Sequence, residues 1–157
     1  MSGNSGEPAE ECERSPPPPA ECQSAINLTE YWRNVNAGTD IRPPGGLNCD
    51  VREMNDNYAG RPWFRFAGAA GNMMLNSCPP SKSCGTNGGM WTDEGMPSVV
   101  RKSIEVSAFA SYGDNCKYGF RSILVMRCSY DTDHDFIYQY NEDTTSCFYS
   151  FCGMSYS

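Results

Sequence analysis

Trp63-Phe64-Arg65-Phe66-Ala67-Gly68-Ala69-Ala70-Gly71 sets aromatic rings around a single cation and then runs into small residues. Alternation at a period of two marks a strand with one buried face, and a glycine cluster behind it marks a turn. The same two signals recur along the chain. Ile104 to Phe109 alternates, with Ile104, Val106 and Ala108 on one face. Ser122 to Cys128 is the most apolar segment and is expected to be a central strand. Phe136 to Tyr140 alternates with aromatics, and a last strand is expected within Cys147 to Tyr156. Gly85-Thr86-Asn87-Gly88-Gly89 and Tyr112-Gly113-Asp114-Asn115 read as turns. One helix is predicted upstream: Asn27 or Thr29 would cap it, and Leu28, Tyr31, Trp32 and Val35 would share a face. Pro43-Pro44-Gly45-Gly46 would end any such element.

Residues 1–21 read as a Pro-rich flexible tail. Pro16 to Pro19 form a polyproline II spacer, and the stretch has too few bulky apolar side chains to offset its ordering entropy. A single domain then occupies residues 22–157. Residues 1–11 hold no apolar stretch of signal-peptide type, and no apolar run approaches the roughly 18 residues that would span a bilayer. No membrane insertion is expected. The net charge of -7, with Lys82, Lys102 and Lys117 as the only lysines, opposes nucleic acid and anionic membrane surfaces.

The 9 cysteines carry the strongest compositional signal. Such density belongs where thiols oxidise and stay oxidised, outside the cytosol. There is no Cys-x2-Cys pair, and with 1 histidine, His134, a two-His zinc site is impossible. A four-Cys zinc site is the remaining metal alternative. Together these readings give a small disulfide-rich, mainly β domain with a short N-terminal helix, and no cofactor is called for.

Motif order adds a family. Cys22 leads into Leu28-Thr29-Glu30-Tyr31-Trp32-Arg33-Asn34, then Cys49-Asp50, the Trp63–Gly68 segment, Cys78-Pro79 and Cys84-Gly85-Thr86. Met90-Trp91, Met96-Pro97, Cys116, Cys128, Tyr138-Gln139-Tyr140, Cys147 and Cys152 follow. This arrangement resembles the uromodulin-type eight-cysteine extracellular domain from Cys22 to Cys152. The resemblance implies the pairs Cys22–Cys128, Cys49–Cys147, Cys78–Cys116 and Cys84–Cys152. The ten-cysteine form of the family has two adjacent cysteines where Cys116-Lys117 stands, and its partner position falls near Phe109. Both members of that bridge are absent together, as a real disulfide framework requires. Cys12 is left over and is either unpaired or intermolecular. If four bridges form, at about 2–4 kcal/mol each, they dominate stability and the reduced chain is expected to be largely unfolded.

Asn27-Leu28-Thr29 is an N-glycosylation acceptor, with an unmodified Asn27 as the alternative. In the family a mannose-rich glycan gripped by bacterial adhesins lies before the penultimate cysteine. Asn141-Glu142-Asp143 stands there instead and is no acceptor, so that decoy role is not implied. Asp131, Asp133, Asp135 and Glu142 mimic the spacing of an EF-hand calcium loop, but Phe136 occupies the position that needs glycine. A solvated acidic turn is the expected reading. Trp32, Trp63 and Trp91 are assigned to the core rather than to a sugar platform, and Tyr58, Tyr112 and Tyr149 are better candidates for exposed binding residues.

No nucleophile elbow, phosphate loop or zinc-protease motif is present, and pairs such as Asp93-Glu94 occur in any acidic protein, so the chain is expected not to be an enzyme. The expected function is a secreted, non-catalytic recognition or structural module whose partner is an extracellular protein or glycan. A carbohydrate-binding, lectin-like module is the first alternative. A disulfide-linked homo-oligomer or filament component, through Cys12, is the second.

Overall fold

The computed structural model describes residues 19–41, 43, 62–132, 134–141 and 149–155. Helix α1 (Ala20–Ser24) opens the described chain behind Pro19, whose φ of -58° suits a helix start. The strands are β1 (Ile26–Leu28), β2 (Phe64–Phe66), β3 (Met73–Met74), β4 (Gly88–Trp91), β5 (Ser103–Tyr112), β6 (Asn115–Arg127), β7 (Phe136–Tyr140), β8 (Tyr149–Phe151) and β9 (Gly153–Met154). Short 3₁₀ turns cover Tyr31–Arg33, Val35–Ala37 and Gly68–Ala70. Among the described residues one 7-stranded sheet runs in the order β1-β2-β7-β6-β5-β4-β8, and β3 pairs with β9 in a separate ribbon.

The helix is real but stands earlier than the periodicity predicts. Residues 27–37 form β1 and two 3₁₀ turns instead. Their backbone finds better partners across the chain than along it: Ile26 N donates to Trp63 O at 2.9 Å, and Ala67 N donates to Leu28 O at 3.0 Å. Tyr31, expected to share a face with Leu28 and Trp32, is 57% exposed while those two are buried. Tertiary pairing has overridden a helical periodicity. The Gly85–Gly89 run reads as a turn throughout, yet its last two residues begin β4.

The long β5–β6 hairpin organises the sheet. Its register pairs Val106 with Ile123 and Ala108 with Arg121, and β7 adds Tyr138 opposite Val125 and Tyr140 opposite Ile123. Val106, Ala108, Ile123, Val125, Tyr138 and Tyr140 join Leu28, Phe64, Phe66, Met74, Met90 and Phe151 in the main core. The sheet curls over that core far enough to bring Phe64 of β2 to 5.0 Å, centroid to centroid, from Phe151 of the opposite edge. Tyr138 is fully buried there; its hydroxyl accepts the Met74 N–H at 3.0 Å, and burial pushes its pKa above the ordinary tyrosine range.

The reverse face is covered at the two ends of the hairpin by clusters built on disulfides. At one end Cys22–Cys128 packs with Met126 and Ile137, backed by Ala25 and Trp63. At the other, Cys84–Cys152 packs with Leu75 and Trp91, with Phe109 and Cys78 alongside. Cys78–Cys116 lies beside this second cluster. These three bridges coincide with three of the pairs that the family resemblance implies. Cys49–Cys147, Cys12 and nearly all of the Pro-rich tail fall outside the described residues.

The Cys84-Gly85-Thr86 motif and the following glycines have a steric reason. Gly85 has φ +71°, and a Cβ there would sit 2.6 Å from the Trp32 ring. A Cβ on Gly89 would sit 2.7 Å from Cys152 Sγ. Glycine therefore lets the bridge and the indole lie flat on the backbone.

Candidate functional site

Arg65 stands between two buried rings of β2 and, by strand alternation, leaves the core on the reverse side. It meets the loop that joins β6 to β7. Its Nη2 lies 3.3 Å from Asp135 Oδ1 and 3.5 Å from Cys128 Sγ. Both contacts use Nη2 alone, and the buried Nε–H finds no acceptor among the described residues. The side chain is only 25% exposed.

The loop opposite is held by its own arginine. Arg127 donates from Nε to Ser129 O at 3.0 Å and from Nη2 to Thr132 O at 3.0 Å, while its guanidinium stacks 5.3 Å from the Tyr130 centroid. Cys128 N donates to Asp135 O at 2.9 Å and closes the loop base. The loop thus presents Thr132, His134 and Asp135 from a fixed stem. Together with Arg65, Asn72 and the rings of Phe66 and Phe136, they line a cleft of about 240 Å³. Charged, polar and aromatic residues meet in that lining. A second hollow, of about 290 Å³, lies between the Met96–Val99 segment, Lys102 and Ile104.

The fold distributes the residues singled out in the sequence unevenly. Asp135 faces Arg65, and Asp131 is exposed. Asp133 and Glu142, the other two residues of the calcium spacing, lie outside the described residues. Among the described residues no group of three or more His, Cys, Asp and Glu is placed to hold a metal ion. Trp32 and Trp91 are 6% exposed, and Trp63 is half-buried against the Cys22–Cys128 cluster; they make no platform. Tyr112 is 40% exposed and packs on Tyr118 at 4.9 Å, with Phe120 also exposed on the same hairpin. Tyr58 and the Tyr149 side chain lie outside the described residues. Asn27 is exposed on β1, an edge strand.

Arg65, Asn72 and Thr132 do not stand out as binding residues in the sequence. The available signal is Arg65 itself, a cation at the outward position of an otherwise aromatic strand. Lys117 repays the same attention: its Nζ sits 4.4 Å from the Phe109 centroid and 2.9 Å from Asp93 Oδ2. A cation–π contact therefore joins Lys117 to the residue near which the ten-cysteine form carries its partner cysteine.

Comparison with known proteins agrees on one relationship. The profile of the "Uromodulin-like" domain family, the eight-cysteine type, matches residues 64–153. Uromodulin of Rattus norvegicus is 32% identical over 111 residues, covering 68% of this chain and 15% of the relative. Uromodulin of Mus musculus is 32% identical over 107 residues, with 68% and 15% covered. The pancreatic secretory granule membrane major glycoprotein GP2 of Homo sapiens is 27% identical over 107 residues, covering 68% of this chain and 18% of that protein. The matched region is thus less than a fifth of each of these relatives.

Proposed function

Because the chain belongs to the family of uromodulin-like eight-cysteine domains, we propose that it is a secreted, non-catalytic extracellular module that serves recognition or structural linkage. The observation that carries this reading is the set of bridges Cys22–Cys128, Cys78–Cys116 and Cys84–Cys152, with sequence separations of 106, 38 and 68. Disulfides that staple the start, middle and end of a small domain in this way are characteristic of an oxidising compartment. Among the described residues no helix is long and apolar enough to cross a membrane, which accords with an extracellular module but says nothing of what anchors it. A non-catalytic role is favoured because Cys22, Cys78, Cys84, Cys116, Cys128 and Cys152 are committed to disulfides and so are not free thiols for a nucleophile couple with His134.

Asn27 fits the same compartment. It is exposed in extended backbone, with Leu28 turned inward and Thr29 exposed. We assign it as the site of an N-linked glycan. A carbohydrate-binding role is the second reading, favoured by the polar cleft between Arg65, Asn72 and Asp135.

The test is expression of the full chain behind a secretion signal in a eukaryotic line, followed by alkylation of the native protein and mass spectrometry. The expected result is secreted protein whose Cys22, Cys78, Cys84, Cys116, Cys128 and Cys152 resist alkylation until reduced. A glycosidase-sensitive mobility shift that Asn27→Gln abolishes is expected alongside. Folded protein with those thiols freely alkylated overturns the reading.

A further inference from the structure

We propose that the Arg101-Lys102 pair is a processing site, at which a trypsin-like endoprotease with an anionic specificity pocket nicks the folded domain into a two-chain form. This goes beyond the extracellular-module reading.

Sequence and exposure select the position. Arg101 and Lys102 are the one pair of adjacent basic residues in the chain, and both are exposed. They end the connection from β4 to β5, residues 92–102, where an ordinary hairpin uses about 2–5 residues. Exposed polar connections are where chains are nicked and where a nick is tolerated. Arg101 also holds a φ of +75°, a left-handed backbone that residues other than glycine adopt at a cost, so opening the turn relieves strain.

An endoprotease takes its substrate extended, so the turn must first open, and the fold confines that opening to one stretch. The root of the connection is pinned: Thr92 Oγ1 donates to Ser107 O at 2.8 Å, and Glu94 N donates to Thr92 Oγ1 at 3.2 Å. Gly95 follows as a hinge, exposed and with nothing within 4 Å of where a Cβ would stand. Beyond it Val99 is 50% exposed, and the hollow of about 290 Å³ lies between the Met96–Val99 segment, Lys102 and Ile104. A segment lying over a hollow forgoes close-packed contacts and lifts at small cost. Val100, 8% exposed, is its anchor. Val100 N donates to Tyr130 Oη at 3.1 Å, Arg101 N donates to Arg127 O at 3.1 Å, and Arg127 Nη1 donates to Ser98 O at 3.4 Å. Arg101 has a further partner in the closed turn, which is released with these bonds.

Cleavage consumes one water. The peptide C–N bond after Arg101 or Lys102 breaks, a carboxylate forms on that residue, and an amino group forms on Lys102 or Ser103. The bridges Cys22–Cys128, Cys78–Cys116 and Cys84–Cys152 each join a residue before the cut to one after it. β5 keeps its register with β6 from the Ser103–Met126 pair onward. The two chains therefore stay together, while the released segment swings out about Gly95 and uncovers Ile104.

The experiment is a time course of trypsin on the oxidised full chain, followed by mass spectrometry of new N-termini, electrophoresis with and without reductant, and near-UV circular dichroism. The readout is a new N-terminus at Lys102 or Ser103, so cuts elsewhere do not enter it. The expected result is that this N-terminus accumulates while the circular dichroism is unchanged, and that its two pieces separate only with reductant. Arg101→Gln combined with Lys102→Gln is expected to abolish it in protein that keeps the same spectrum. Tyr130→Phe keeps the ring against Arg127 and removes the acceptor of the Val100 N–H. It is expected to speed this nick roughly two- to tenfold, the worth of one net hydrogen bond where cleavage tracks the open population. The proposal is overturned if neither N-terminus forms before the circular dichroism is lost, or if the pieces part without reductant. It is also overturned if Tyr130→Phe leaves the rate unchanged or speeds cleavage after Lys82 and Lys117 equally, which would place the opening in the whole domain. Resistance of oxidised, secreted protein to the nick removes the processing site and leaves the extracellular-module reading standing.

Discussion

Tyr138 carries a hydroxyl into the most apolar part of the molecule, between Phe64 at 5.8 Å and Phe66 at 5.6 Å. Its oxygen takes the Met74 N–H that the two-residue strand β3 leaves facing the core. Tyr138→Phe keeps the ring and strands that N–H in an apolar site. It is expected to cost about 1–3 kcal/mol, read as a lower urea midpoint at unchanged m-value. The same hydroxyl sets a pH limit. Burial raises its pKa above the ordinary value of 10.0, so above that pH the unfolded chain loses this proton and the native chain keeps it. The native state then binds more protons than the unfolded one, and stability falls as pH rises. The urea midpoint is expected to drop between about pH 9 and about pH 11, and to drop less steeply in Tyr138→Phe. Equal slopes in the two proteins would show that Tyr138 is not the group responsible. Lys117 works in the opposite regime. Its ion pair with Asp93 is about half exposed on both sides and worth little, so the contact with the Phe109 ring does most of the joining.

At the level of elements, strands that bury one face declare themselves in the sequence. Phe136 to Tyr140 matches β7 end to end, and Ile104 to Phe109 lies wholly within β5. The N-terminal part of β6 does not, because Asn115 to Tyr118 is exposed throughout and leaves no period to read. Residues 26–37 mislead for the converse reason: Leu28 and Trp32 are buried and four apart, which a helix and a strand followed by a turn both satisfy. The cleft is half legible. His134 and Asp135 stand out as chemistry-bearing, but Arg65 and Asn72, which line the cleft with them, lie some sixty to seventy positions upstream, and the pairings of β2 with β7 and of β3 with β9 bring them there. Glycines are legible as punctuation and illegible as contacts. Gly89 reads as turn material, yet it is a strand residue pressed against Cys152 Sγ. Gly89→Ala must push either β4 or the bridge aside. It is expected to cost about 1–3 kcal/mol, seen as a lower Tm, with little loss where the Cys84–Cys152 sulfurs are removed by substitution. An equal loss in a Cys84→Ala/Cys152→Ala background would place the cost in the strand instead of at the sulfur.

For the whole molecule the bridges differ less by loop length than by surroundings. On the chain-entropy account, loops of 106 and 38 residues differ by less than about 1 kcal/mol, because the cost grows only with the logarithm of length. Burial separates them far more. Cys22 and Cys128 are 2% and 1% exposed, Cys84 and Cys152 are 0% exposed, and both pairs form the centres of packed clusters. Cys116, by contrast, is exposed at the hairpin end, and Cys78 is half-buried. A thiolate attacking in line reaches Cys116 in the native state, whereas it reaches the other two pairs only after the reverse face opens. Graded reduction with a small phosphine, followed by alkylation and peptide mapping, is therefore expected to label Cys78 and Cys116 before Cys22, Cys84, Cys128 and Cys152, in protein that keeps its circular dichroism and loses a few degrees of Tm. Labelling of the buried pairs is expected to coincide with cooperative unfolding and to be slowed by stabilising osmolyte, while labelling at Cys116 is not. Should Cys22 or Cys84 react before Cys116 in folded protein, the disulfide-centred clusters are not the closed caps of the sheet described here. The order matters for the cleft as well. Cys128 Sγ lies 3.5 Å from Arg65 Nη2, so reduction that stops at the exposed bridge leaves the cleft's arginine in place, and only the step that opens Cys22–Cys128 dismantles it.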